Sequence, residues 1–95
     1  MKKLSDFEQL PTDIPNGVQT ILEFGDYELS IIKSDFSYGG QQGLWEIGVF
    51  HNGEMVEVSG ITNDGDTIKG YLNEDQVNEI IEKMYDLSNV EPTQL

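Results

Sequence analysis

The stretch Leu44-Trp-Glu-Ile-Gly-Val-Phe-His-Asn-Gly-Glu-Met-Val-Glu-Val-Ser-Gly-Ile61 decides the architecture, because apolar and polar residues alternate on both sides of Asn52-Gly53. Asn-Gly is the preferred pair for a type I′ turn, in which both central residues need positive φ and the backbone twist matches that of the flanking strands. Alternation has period two, so a hairpin closed at this point has a single register that keeps the apolar set on one side. Val49 then faces Val56, Ile47 faces Val58 and Trp45 faces Gly60 on a core side. Phe50 with Met55, Gly48 with Glu57, and Glu46 with Ser59 fall on the reverse.

The same reading extends upstream. Val18 to Phe24 and Tyr27 to Asp35 flank Gly25-Asp26, a second two-residue turn. Its register pairs Phe24 with Tyr27, Leu22 with Leu29 and Thr20 with Ile31 on the core side, and places Glu23 against Glu28, Ile21 against Ser30 and Gln19 against Ile32 outside. Between the hairpins, Ser37-Tyr-Gly-Gly-Gln-Gln-Gly43 reads as a flexible connector or as a contact loop presenting Phe36 and Tyr38. Thr67 to Leu72 is a last strand whose phase requires a bulge, placed near Ser59-Gly60.

Downstream, Asn73 with Gln76 forms a capping box ahead of a helix whose Val77, Ile80, Ile81 and Met84 share a face. Glu79 and Lys83 stand at favourable i,i+4 spacing on its solvent side. Ser5-Asp-Phe-Glu8 also has capping-box spacing, which predicts a helical turn through Phe7 to Leu10, and Pro11 and Pro15 stop anything longer. Residues 1–17 are therefore an arm with a short helical turn, 18–88 a single domain and 89–95 a flexible polar tail. The fold class is α+β: a mostly antiparallel sheet of about five strands, two β-hairpins plus one strand, packed by a C-terminal α-helix.

Charge bounds the function. Eighteen acidic against five basic residues give a formal charge of −13 on 95 residues. Such a field repels phosphate backbones and anionic lipid, so the expected partners are basic protein surfaces, including those that ordinarily hold nucleic acid, with no direct nucleic acid and no membrane. The absence of cysteine suits a reducing cytoplasm. Catalysis finds no foothold: there is no Cys, a single His (His51, read as an exposed turn residue) and no nucleophile elbow. No cofactor and no metal are expected, because Asn63-Asp-Gly-Asp66 lacks the alternating ligand run of an EF-hand and reads as a turn.

The candidate site is the sheet face turned away from the core. Glu23, Glu28, Glu46 and Glu57 all fall there, with Phe50 and Met55 as apolar anchors. Closely spaced carboxylates on such a face can stand in for a phosphate backbone in a basic groove. Other readings are an assembly subunit that forms a homodimer through strand edges or the Phe50–Met55 patch, and a weak divalent-cation module at Asp64 and Asp66.

Phe36-Ser-Tyr-Gly-Gly40, Gly43-Leu-Trp-Glu-Ile47 and Gly70-Tyr-Leu ahead of an acidic helix start resemble small uncharacterised acidic proteins encoded by bacteriophages and prophages. The resemblance spans roughly residues 27 to 87. It implies an accessory protein acting in the cytoplasm of a bacterial host, and transfers no residue roles.

Overall fold

Both two-residue turns close as the sequence dictates. Asn52 and Gly53 have φ of 52° and 84°, and Gly25 has φ of 68°. In the computed structural model, which describes residues 2–95, they join β2 (Val18–Phe24) to β3 (Tyr27–Lys33) and β4 (Trp45–His51) to β5 (Glu54–Met55). Every pairing expected between β2 and β3 is present, from Val18 against Lys33 to Phe24 against Tyr27. β3 also pairs antiparallel with β4, placing Leu29 against Val49 and Ile31 against Ile47. The other strands and the helix are β1 (Leu10–Pro11), β6 (Ile68–Leu72), α1 (Glu74–Ser88) and β7 (Thr93–Gln94).

The sheet is five positions wide although it contains seven strands. β1 and β7 both pair with β2, at its start and its end, and so divide one edge between them. β5 and β6 share the other edge along β4. Short edge strands and bulges deny an incoming chain a continuous template.

Leu22, Phe24, Leu29, Ile31, Ile47, Val49 and Leu72 are buried beneath α1, which contributes Val77, Ile80, Ile81 and Met84. Fully burying one such side chain is worth about 1.5–3 kcal/mol. The helix starts at the expected capping box: Asn73 Oδ1 accepts from the Gln76 N–H at 2.9 Å, and the Asn73 N–H donates to Gln76 Oε1 at 2.9 Å. Buried Thr20 is satisfied by donating to the Glu8 carbonyl at 2.8 Å.

The second hairpin departs from its expected course after Val56. The Val56 N–H still donates to the Val49 carbonyl at 3.0 Å. Beyond it, Val58 does not reach Ile47 and Gly60 does not reach Trp45; their places are taken by Lys69 and Leu72 of β6. Two strands cannot occupy one edge of β4. Leu72 is buried directly ahead of the helix cap, which anchors β6 there. Residues 58–62 instead fold into a turn in which the Val58 N–H donates to Thr62 Oγ1 at 2.9 Å, with Gly60 at φ 83°. This turn drops Ile61 into the core. The bulge lies in β6, not at Ser59-Gly60: Gly70 and Tyr71 together oppose Glu46 between the Trp45–Leu72 and Ile47–Lys69 pairs.

The segments on either side of the central hairpins are built into the domain, through β1 and β7 on β2 and through Leu4 on α1. A 3₁₀ turn covers Leu4–Asp6, a few residues ahead of the expected position, and the Lys3 N–H donates to Asp6 Oδ2 at 2.8 Å. Leu4 is 1% exposed, and its N–H donates to Asn78 Oδ1 on α1 at 2.9 Å. Phe7 packs on the core, whereas Leu10 and Ile14 stay exposed. The segment read as a flexible tail forms β7, and Gln94 clasps the Glu8 backbone from both ends of its amide. Pro92 is buried.

Candidate functional site

Alternation along the strands decides which residues stand on the face that α1 leaves open. In one transverse row, Thr93, Glu23, Glu28, Phe50 and Met55 are successive partners across β7, β2, β3, β4 and β5. The next row holds Ile21, Ser30, Gly48 and Ile68, and the third Leu10, Gln19, Ile32 and Glu46. The face therefore sets Glu23 and Glu28 beside Phe50 and Met55 in its first row, with Ile21 and Ile68 at the two ends of the second and Ile32 in the third. None of these paired positions is Lys or Arg.

Four of the six residues singled out from sequence, Glu23, Glu28, Phe50 and Met55, are thus brought together in one line. Met55 is 48% exposed, and Phe50, Glu23 and Glu28 are half-buried. The Met55 Cε lies 3.5 Å from where a side chain on Gly48 would begin, so Met55 leans over the bare backbone of that glycine. Glu23 and Glu28 flank the narrow pair that closes the first turn. At such non-hydrogen-bonded positions Cα atoms are about 4.5 Å apart and like charges oppose each other.

The remaining two glutamates do different work. Glu46 is on the open face but at its far end, opposite Ile32 rather than Ser59, and its Oε1 accepts from the Tyr38 N–H at 2.9 Å. Glu57 is not on the sheet at all. Once β6 displaces the end of the second hairpin, Glu57 enters the 56–67 excursion, where its Oε2 accepts from the Gly65 N–H at 2.6 Å.

Other sequence readings also change. His51 is not a free turn residue: its ring stacks on Tyr27 with centroids 4.2 Å apart and planes 12° from parallel. Trp45 lies beneath Lys33, whose Nζ is 4.2 Å from the ring centroid, a cation–π contact at the sheet margin. Lys83 donates to the Gly60 carbonyl at 2.9 Å. The Asn63–Asp66 segment is a closed turn, with Asp66 Oδ1 accepting from the Thr67 N–H at 2.7 Å. Among the described residues, no three His, Cys, Asp or Glu side chains are grouped to hold a metal ion. Nor is any helix among the described residues long and apolar enough to cross a membrane.

The glycine-rich connector is ordered by local bonds. Gly40–Gln42 form a 3₁₀ turn, Ser37 Oγ accepts from the Ser34 N–H at 2.9 Å, and the Tyr71 N–H donates to the Tyr38 carbonyl at 3.1 Å. The loop is thereby fastened to the β6 bulge. Gly70 allows this approach, since a Cβ there would strike the Tyr38 side chain. Sequence reasoning missed Tyr71; a Gly followed by an aromatic residue inside a short strand was the available sign of a bulge.

No protein-family model, curated protein or solved structure matches this chain.

Proposed function

We propose that the protein binds a basic protein surface through the open face of its sheet, with Phe50 and Met55 as apolar anchors and Glu23 and Glu28 as the adjoining charges. The observation that carries this reading is the single row in which those four side chains adjoin, on a face whose paired positions carry no cation. Apolar anchors beside charges are the anatomy of an interaction hot spot, while carboxylates supply steering and register. A groove that ordinarily holds nucleic acid is a basic surface of this kind. In the bacteriophage setting implied by the resemblance, its owner is a host or defence protein in the bacterial cytoplasm, and this chain acts without catalysis.

The test compares wild type with the Glu28→Lys/Phe50→Ser variant, both immobilised in bacterial lysate at about 50 mM salt, where phosphate-type contacts are strong. The reading expects a basic polypeptide held by wild type, released by rising salt and absent from the variant. Equal retention by both contradicts it. Self-association through the Phe50–Met55 patch has the opposite salt dependence, because pairing two chains of charge −13 is eased by screening. Both sheet edges are divided between short strands, which leaves edge pairing little backbone to use.

A further inference from the structure

We infer that Tyr38 and Tyr71 form a second docking point, a ledge that stacks an arginine side chain of the partner protein. The inference rests on the reading of a basic protein partner but uses different residues. Among the described residues, four that are not glycine have positive φ: Asn16, Asn52, Asn89 and Tyr71. Asparagine tolerates the left-handed region; a bulky aromatic residue does not. Tyr71, at φ 57°, gains no compensating burial, since it is 56% exposed. The bulge, the Tyr71–Tyr38 backbone bond and the close packing of Gly39 and Gly70 hold it there. The bulge brings Leu72 into the core, a task that asparagine or glycine at position 71 would serve with less strain; an aromatic ring kept at that position and left in solvent points to use of the ring.

The ring has a partner. Tyr38 is 57% exposed, and the two centroids are 6.3 Å apart with planes tilted by 34°. Shallow depressions flank the pair, one bearing Asp35 and Gln41, the other Asn63 and Asp66. Neither is lined by Lys or Arg. Two π faces between carboxylates and amide oxygens match guanidinium, which is planar, stacks on aromatic rings and carries five N–H donors. The ledge is distinct from the Glu23–Met55 row: Glu46, which accepts from the Tyr38 N–H, is four residues along β4 from Phe50, about 13 Å at strand rise.

The experiment titrates ¹⁵N-labelled protein with hexa-arginine amide at low salt, in wild type, Tyr71→Asn, Tyr71→Phe and Glu23→Gln/Glu28→Gln. Asparagine keeps the backbone conformation and removes the ring, and phenylalanine keeps the ring. The expected result is saturable shifts at Gly39, Gly70 and Tyr71, about five-fold weaker in Tyr71→Asn and retained in Tyr71→Phe, with the ledge unaffected in the double glutamine variant. Undiminished binding by Tyr71→Asn overturns the ledge, as does a response there to maltohexaose but not to hexa-arginine. In the wild type, shifts at Phe50 and Met55 without any at Gly39, Gly70 and Tyr71 overturn the ledge and leave the sheet-face reading standing. Ledge shifts without any at the row do the reverse.

Discussion

Replacing Glu28 with Gln should stabilise the folded protein while weakening its binding. Glu28 stands directly opposite Glu23, one residue from the turn-closing Phe24–Tyr27 pair. With carboxylates about 6 Å apart at the dielectric of water, the repulsion is about 0.7 kcal/mol. Screening reduces this to about 0.3 kcal/mol at 0.15 M salt and about 0.1 kcal/mol at 1 M. In a domain of this size, about 0.7 kcal/mol raises Tm by about 3–5 °C. The assay is thermal melting at 10 mM and 1 M salt of Glu23→Gln, Glu28→Gln, the double variant and Glu82→Gln. Glu82 is exposed on the helix, so its neutralisation reports relief of net charge alone. The two sheet variants should each gain more than Glu82→Gln at low salt, and the double variant should gain less than the sum of its parts. Equal gains at all three sites, or full additivity, would refute the pairwise reasoning and leave only bulk charge.

Three further outcomes follow from the packing. Leu4→Ala should lose about 3 kcal/mol in urea unfolding, because the side chain is 1% exposed in the core; a loss under 1 kcal/mol would mean that the arm is not part of the cooperative unit. Asn73→Ala removes a reciprocal cap and should cost about 1 kcal/mol, read by the same unfolding measurement. Gly70→Ala would drive a methyl group into Tyr38; a lowered Tm together with amide shifts through residues 37–43 is expected, and an unperturbed loop spectrum would contradict the bulge–loop contact.

The first hairpin was legible because turn residues and apolar pairing agree on one register. The second was legible only to Val56. Alternation through Val56, Glu57, Val58 and Ser59 is as regular as in a true strand, and nothing local reveals that β6 competes for the same edge of β4. The contest is settled by Leu72 entering the core beside the Asn73 cap and by Thr62 gripping Val58. That outcome removed Glu57 from the face and left Glu46 alone at its far end. Leu4 and Gln94 had no periodicity to mark them; their places depend on long-range bonds to Asn78 and Glu8. Within the candidate site, each hairpin predicted one half of the row, Glu23 with Glu28 and Phe50 with Met55. The β3–β4 register, which sets Glu28 against Phe50, joins them. No turn residue specifies that pairing, because the two strands are separated by the loop through Gly43.

The sheet-face account is tested most directly by an amide-shift map of ¹⁵N-labelled protein titrated with the basic polypeptide that the wild type retains from lysate in the salt-gradient test. The helix offers an internal control, since Glu79, Glu82 and Asp86 are exposed carboxylates on the opposite side of the molecule. The account predicts a footprint at Glu23, Glu28, Phe50 and Met55 with the helix residues silent. A footprint on Glu79, Glu82 and Asp86, with the sheet row unmoved, would contradict it.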